Sequence, residues 1–191
     1  MKSIRRGVFE TNSSSTHSLI ITRNMEKKYD YKVKMSKYGE VRLYNLKNMN
    51  FGWGPAQYRD CYTKLNYLAC LALQCWQYMH SYEPEKQLKE SNQIFNLPDI
   101  KKLERVCKKN IPGFTKFILN PKDFECFSDT GELWINFDYN SIDHYSYEDL
   151  SGIDDFLKKY KISIENFLFN PCVVLDIYND NDYNGYDYTG R

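Results

Sequence analysis

One segment of the 191-residue chain constrains the fold more than any other. Between residues 56 and 82, apolar side chains recur at intervals of three and four, at positions 58, 61, 62, 65, 68, 69, 72, 75, 76 and 79. This spacing aligns a single apolar stripe along an α-helix, and Pro55 is suited to the first turn of such a helix. The segment therefore predicts a long central helix that packs against the rest of the domain.

Shorter patterns around this helix predict strands and further helices. A second helix is expected near Pro98–Lys109. Strands are expected at Ile4–Glu10, Leu19–Thr22, residues 31–35, residues 41–44 and Glu132–Tyr139, where apolar and polar residues alternate. The prediction is a single α+β domain over residues 1–191, with a mixed sheet and a long central helix.

The C-terminal half contains two similar pentapeptides, Phe117–Pro121 and Phe167–Pro171, both of which end in Asn-Pro. A residue before proline is displaced from the helical region, so a helix ends there and an extended segment begins. Each copy follows a helix ending in two lysines and a shorter helix, and each precedes a strand. The pattern predicts a helix–helix–strand repeat.

The formal net charge of +1 conceals two opposed halves. Residues 1–110 contain 20 of the 26 basic and 10 of the 25 acidic side chains, whereas residues 111–191 contain the other 6 and 15. Such asymmetry is typical of chains that bind a charged partner. The acidic half could imitate a phosphate backbone or dock a basic protein. Its Tyr-rich tail, residues 179–191, could be flexible.

Composition excludes a membrane protein, and no secretory signal is expected. The most apolar window, Tyr67–Leu73, is far shorter than the roughly 20 residues that a membrane-spanning helix requires. No basic segment followed by an apolar run opens the sequence, so no secretory signal is visible. The six cysteines form no C-x-x-C pair, which favours reduced thiols in the cytoplasm, with those of the long helix used for packing.

The densest group of polar side chains is Glu10–Ser18, of which Thr11–Ser18 is predicted to be a loop between two strands. Hydroxyls and backbone N–H groups can cradle a phosphate or another oxyanion, and two preceding arginines supply positive charge. The predicted ligand-binding residues are Arg5, Arg6, Thr11, Asn12, Ser13, Ser14, Ser15, Thr16 and His17. Two alternatives stay open: a solvated turn, or catalysis in which Ser14 is a nucleophile and His17 and Glu10 transfer protons.

A second candidate surface lies in the basic half. Lys32, Lys34 and Lys37 are interleaved with Tyr29, Tyr31 and Tyr38. Lysines that contact phosphates beside tyrosines that stack on bases could bind nucleic acid. The alternative is a solvated face whose charge is neutralised by the acidic half.

No metal or cofactor is predicted. His80 and His144 have no cysteine or carboxylate at metal-ligand spacing. Asp180–Gly185 matches the first half of a calcium-binding EF-hand loop. The twelfth loop position is Arg191, where calcium binding requires a glutamate, so a calcium site is not expected.

Three segments resemble a family of uncharacterised proteins from bacteriophages and low-GC bacteria. They are the opening Arg6–Ser18 (R-G-V-F-E-T-N-S-S-S-T-H-S), Phe51–Trp53 followed by Lys64–Leu68, and the Phe-x-x-Asn-Pro ending. The resemblance is strong over about thirteen residues. It implies a phage or prophage origin and a binding role for the polar segment, but no reaction and no catalytic residue.

These observations favour a small, cytoplasmic, non-enzymatic protein of phage type that binds a macromolecular partner. The expected partner is a host protein, and interference with a host defence system follows from the implied phage origin. One alternative is an enzyme that acts on a phosphorylated small molecule or nucleotide through residues 10–18. The other is a nucleic-acid-binding module that uses the Lys/Tyr face.

Overall fold

A computed structural model gives the fold of the chain. It describes residues 3–6, 15–22, 29–43, 51, 56–80, 83, 88–121, 125–127, 133–135 and 151–179. The tail from residue 180 onward lies outside these ranges, as does His144. All statements below concern the described residues.

The long central helix is confirmed, but it begins later than predicted. Helix α1 spans Cys61–Met79, and the Asp60 side chain caps it by accepting a hydrogen bond of 2.8 Å from the backbone N–H of Thr63. Residues Ala56–Tyr58, which the apolar stripe assigns to the helix, instead form strand β4. Their backbone groups pair with a strand from the end of the chain, a contact that local spacing does not reveal.

Helix α1 is buried on all sides along most of its length, rather than along a single stripe. Its residues from Cys61 to Cys75 are buried, with Thr63 partly exposed. It packs against three further helices: α2 (Pro98–Asn110), α3 (Ile153–Lys159) and α4 (Ile164–Phe169). A 3₁₀ helix, Ser91–Asn96, precedes α2. The prediction that the cysteines of α1 are packing residues is confirmed, since Cys61, Cys70 and Cys75 are free and buried.

The described ranges include eight short strands, which complete an α+β fold and confirm the predicted class. The largest sheet has the order β1–β2–β8–β4, and its strands are all antiparallel. Strands β3 and β5 pair in parallel, and β6 and β7 form an antiparallel pair. The remaining bounds are β1 Ser3–Arg6, β2 Ser15–Thr22, β3 Glu40–Arg42, β5 Lys116–Ile118, β6 Glu125–Phe127, β7 Leu133–Ile135 and β8 Val173–Asn179.

The predicted helix–helix–strand repeat is wrong. In the second copy, Phe167 lies in helix α4, which ends before Asn170 as expected from the following proline. In the first copy, Phe117 lies in strand β5. That strand pairs with β3, so tertiary pairing decides the conformation of the first pentapeptide and the similarity does not extend to structure.

A tight turn at residues 36–39 leads into β3. The predicted strand 31–35 is reduced to a single bridge between Met35 and Val41. The turn is closed by a hydrogen bond of 3.0 Å from the Gly39 N–H to the Ser36 carbonyl. Gly39 has φ of +75°, and a Cβ atom at this position would collide with the carbonyl oxygen of Gly113.

Gly39→Ala is expected to lower the free energy of unfolding by more than about 1 kcal/mol, because it adds both an unfavourable φ and a collision with backbone. Urea unfolding at neutral pH measures this loss. Gly113→Ala is the matched control, since Gly113 also has positive φ, +79°, but no atom lies within 4 Å of its added Cβ. Equal losses of unfolding free energy in the two variants would show that the collision with the Gly113 carbonyl does not contribute.

Candidate functional site

The predicted polar segment is only partly a loop. Ser15, Thr16 and His17 lie in strand β2, where they pair with Asn179, Tyr178 and Ile177 of β8. The loop boundary at Leu19 was therefore wrong by four residues. Sequence alternation could not reveal this, because the run Ser15–Ser18 is polar throughout and its strand conformation depends on β8.

The two predicted arginines lie on the neighbouring strand. Arg5 pairs with Ile20, and Arg6 pairs with Leu19. Strand β1, which contains both arginines, thus lies beside β2. Residues 7–14, which include Glu10, Thr11, Asn12, Ser13 and Ser14, lie outside the described residues. Their predicted roles stay predictions.

The register places His17 and its neighbours on different faces of the sheet. His17 is opposite Ile177, and Leu19 is opposite Leu175, so these positions share one face. Leu19, Leu175 and Ile177 belong to the buried core. Thr16 and Ser18 occupy the other face because successive strand residues alternate.

A buried lysine, which sequence analysis overlooked, lies at the centre of the molecule. The Lys64 side chain is 0% exposed, and its Nζ donates hydrogen bonds to the carbonyl oxygens of Asn170 (3.0 Å) and Val173 (3.2 Å). Nζ is also 5.8 Å from the centre of the Phe167 ring. Lys64 thereby joins helix α1 to the turn between α4 and β8.

The turn that receives Lys64 is itself held by side-chain hydrogen bonds. The Asn170 Oδ1 atom accepts a bond of 2.9 Å from the Cys172 N–H, and its Nδ2 donates a bond of 2.8 Å to Asn166 Oδ1. Pro171 prevents the helix from continuing, which leaves the Asn170 carbonyl available to the lysine. Asn-Pro is therefore a structural signal here, although not for a repeat.

Burial dominates the electrostatics around Lys64. It lowers the pKa of Lys64 to about 8, while Cys61, Asp60, Asp30 and Cys172 act in the opposite direction. Burial also raises the pKa of Cys61 to about 12, despite the nearby lysine. At neutral pH Cys61 is thus a neutral thiol, and Lys64 is charged and held by carbonyl oxygens. With Lys64 and Cys61 both almost wholly buried, this arrangement can stabilise the fold but offers little access to a substrate.

Residues from two of the three segments that carry the resemblance, Phe51 with Lys64–Leu68 and the Phe-x-x-Asn-Pro ending, meet at this buried centre. The ring of Phe51 lies 5.3 Å from that of Tyr67, and Tyr67 lies 6.4 Å from Phe167. Lys64 and Asn170 complete the group through their hydrogen bond. One signal could have identified the lysine in advance: it is the sole charged residue in the sequence of α1.

An exposed candidate surface lies at residues 31–42. Four basic residues and one acidic residue, Glu40, occur in this range. Glu40 is engaged by Lys116 Nζ at 3.3 Å and by the Ser36 hydroxyl at 3.1 Å. We call its exposed members the Lys/Tyr surface, which consists of Tyr31, Lys32, Lys34, Met35, Lys37, Tyr38 and Arg42.

In the described part of the chain, the ammonium groups of Lys32, Lys34 and Lys37 form no ion pair, although the Asp30 carboxylate accepts a hydrogen bond of 3.0 Å from the Lys32 backbone N–H. Lys34 Nζ instead lies 6.0 Å from the centre of the Tyr62 ring, and Lys37 Nζ lies 5.0 Å from that of Tyr38. The predicted neutralisation by the acidic half does not reach Lys32, Lys34 or Lys37 among these residues. It is seen elsewhere, where Lys102 of α2 pairs with Asp154 of α3.

Comparisons with known proteins add no relative: no family model, curated protein or solved structure matches the chain. Within the described ranges, no group of histidine, cysteine and carboxylate side chains could hold a metal ion. His80 instead stacks on Trp76 with ring centres 4.0 Å apart. None of the described helices is long and apolar enough to cross a membrane.

Proposed function

We propose that the protein is a non-enzymatic binding protein that engages a negatively charged macromolecular partner through the Lys/Tyr surface. The observation that carries the proposal is that Lys32, Lys34 and Lys37 lie within six residues of the chain, are all exposed, and form no ion pair among the described residues. Uncompensated positive charge concentrated on one surface attracts polyanions and accelerates encounter with them.

The buried centre supports a binding role rather than catalysis. Burial lowers the pKa of Lys64, and groups with a shifted pKa are where catalytic residues are sought. Both Nζ hydrogen bonds of Lys64 go to backbone carbonyls that are themselves part of the fold. Arg5, Arg6 and residues 10–17 remain a second predicted contact, and the family resemblance favours a partner from a bacterial host.

Reversing the charge of the Lys/Tyr surface is expected to abolish most binding to a polyanion. The test variant is Lys32→Glu/Lys34→Glu/Lys37→Glu, and the measurement is retention on immobilised heparin as a function of salt. Each lysine that contacts an anionic group contributes about one unit to the slope of log affinity against log salt, so a reduction of about three is expected.

A charge-matched variant separates this surface from net charge alone. Lys101, Arg105 and Lys109 are exposed on helix α2, four residues apart, and their replacement by glutamate changes the net charge by the same amount. This control is expected to retain most of the wild-type salt slope. Equal loss in both triple variants, or a wild-type protein that heparin does not retain, would overturn the proposal.

A further inference from the structure

Two exposed tyrosines distinguish the Lys/Tyr surface from an ordinary basic patch. Tyr38 is 65% exposed and Tyr31 is 36% exposed. Basic side chains alone recognise charge, whereas an exposed aromatic ring also offers a flat apolar face. The two kinds of group together favour a ligand that presents phosphates and flat rings in alternation.

The Tyr38 ring is presented by a backbone that is fixed in place. The Tyr38 N–H donates a hydrogen bond of 3.1 Å to the Ser36 hydroxyl, and its carbonyl accepts one of 2.9 Å from the Thr115 hydroxyl. The Thr115 N–H donates a further bond of 2.8 Å to the Gly39 carbonyl. A ring on a fixed turn loses little conformational entropy when a ligand stacks on it. The exposure of Tyr38 is thus a property of an ordered turn.

Tyr31 is held by contacts of a different kind. Its ring lies 4.9 Å from that of Phe169, at an angle of 47°, and meets the edge of Tyr29 at 6.1 Å. The Asp30 N–H donates a hydrogen bond of 2.8 Å to the Phe169 carbonyl, which ties this part of the chain to helix α4. The ring therefore has a fixed inner contact while part of its area remains exposed.

We infer that the Lys/Tyr surface binds single-stranded nucleic acid, with bases stacked on Tyr38 and Tyr31 and phosphates contacted by Lys32, Lys34 and Lys37. This inference rests on the proposed function and names the class of its partner. Unpaired bases can stack on an exposed ring, whereas the bases of a duplex are already stacked on one another. Lys37 Nζ lies 5.0 Å from the centre of the Tyr38 ring, so phosphate and base contacts would be adjacent.

The test measures fluorescence anisotropy of a labelled oligo-dT of roughly 15 nucleotides, a length within the range that single-strand-binding modules occupy. The same sequence annealed to its complement is the duplex probe, and poly-glutamate is the acidic polypeptide probe. The proteins are the wild type, Tyr38→Ala, Tyr38→Phe and Tyr78→Ala. Tyr78 is 45% exposed on helix α1 and provides the matched loss of a ring elsewhere.

Wild-type protein is expected to bind the single strand more tightly than the duplex. Tyr38→Ala should weaken single-strand binding roughly tenfold, as expected for one lost stacking contact. Tyr38→Phe should keep wild-type affinity because it retains the ring, and Tyr78→Ala should also keep it. All four proteins must have the same thermal unfolding midpoint for the comparison to hold, and Tyr38 variants are expected to do so because the ring is mostly exposed.

Three results would overturn the inference, and they differ in what they mean for the proposed function. Retention on heparin without binding to oligo-dT would leave the proposed function intact and remove nucleic acid as the partner. Preferential binding of poly-glutamate would assign an acidic protein instead. Equal binding of single strand and duplex, with no effect of Tyr38→Ala, would reduce the contact to charge alone.

Discussion

Replacing Lys64 with alanine is expected to lower the free energy of unfolding by about 3–5 kcal/mol. The substitution opens a cavity inside the core, where Lys64 is 0% exposed. It also removes the donor that the carbonyl oxygens of Asn170 and Val173 share. Chemical denaturation at neutral pH, followed by circular dichroism, measures the loss.

Lys64→Met separates packing from charge. Methionine fills much of the same volume without the cost of burying an ammonium group. The Lys64→Met variant should therefore lose less than half as much free energy of unfolding as the Lys64→Ala variant. Lys101→Ala, on the exposed side of helix α2, is the control and should change stability by less than about 0.5 kcal/mol. An alanine variant at position 64 that is as stable as the wild type would show that Lys64 is not a structural centre.

Alkaline pH is expected to destabilise the protein steeply, because its buried thiols resist ionisation. Burial raises the pKa of Cys61 and of Cys75 to about 12, and it raises the pKa of Cys70 and of Cys107 further still. In the unfolded chain these thiols ionise near their ordinary pKa of 9.0. The unfolded state therefore loses protons first, and stability falls as pH rises above about 9.

Lys64 acts in the opposite direction. Its pKa is about 8 in the folded protein, compared with an ordinary value of 10.5. As the pH rises, the folded state therefore releases this proton before the unfolded state does, and the contribution of Lys64 to stability increases between pH 8 and pH 10.5. At pH 10 the four thiols lower the free energy of unfolding by about 6 kcal/mol, and Lys64 returns about 2.5 kcal/mol. A net loss of about 3 kcal/mol is expected between pH 8 and pH 10.

Denaturant unfolding from pH 7 to pH 10, with a reductant present, measures this profile. Two variants test whether the thiols and Lys64 cause the change of stability with pH. Lys64→Met should make the decline steeper, to a loss of about 6 kcal/mol by pH 10, because the compensating group is gone. Cys70→Ala should make it shallower by about 1.4 kcal/mol at pH 10. A flat profile up to pH 10 would contradict the role of the thiols.

Local sequence predicted helix α2 to within one residue, since Pro98 marks its start and its apolar spacing is regular. The start of α1 could not be found in the same way. Pro55 is a valid helix-start signal, and the apolar spacing extends back to Tyr58, yet the capping residue is Asp60. Residues 56–58 form a strand because β8 is present, and β8 is more than a hundred residues away in the chain.

The candidate sites show the same division between local and distant causes. Lys32, Lys34 and Tyr38 were recognised from composition, because exposed charge and aromatic residues need no partner to be noticed. Lys64 was overlooked because a lysine is usually exposed, and its burial depends on carbonyl groups 106 residues further along the chain. Such a site becomes visible only when the two segments are placed together.

The position of β8 has a consequence for how the protein is made. This strand is central in the largest sheet, between β2 and β4, and its first residue receives the Lys64 hydrogen bond. During translation, β2 and helix α1 are synthesised well before β8, so their apolar surfaces stay uncovered for several seconds at elongation rates of roughly 5–20 residues per second. The largest sheet can therefore be completed only after β8 has left the ribosome.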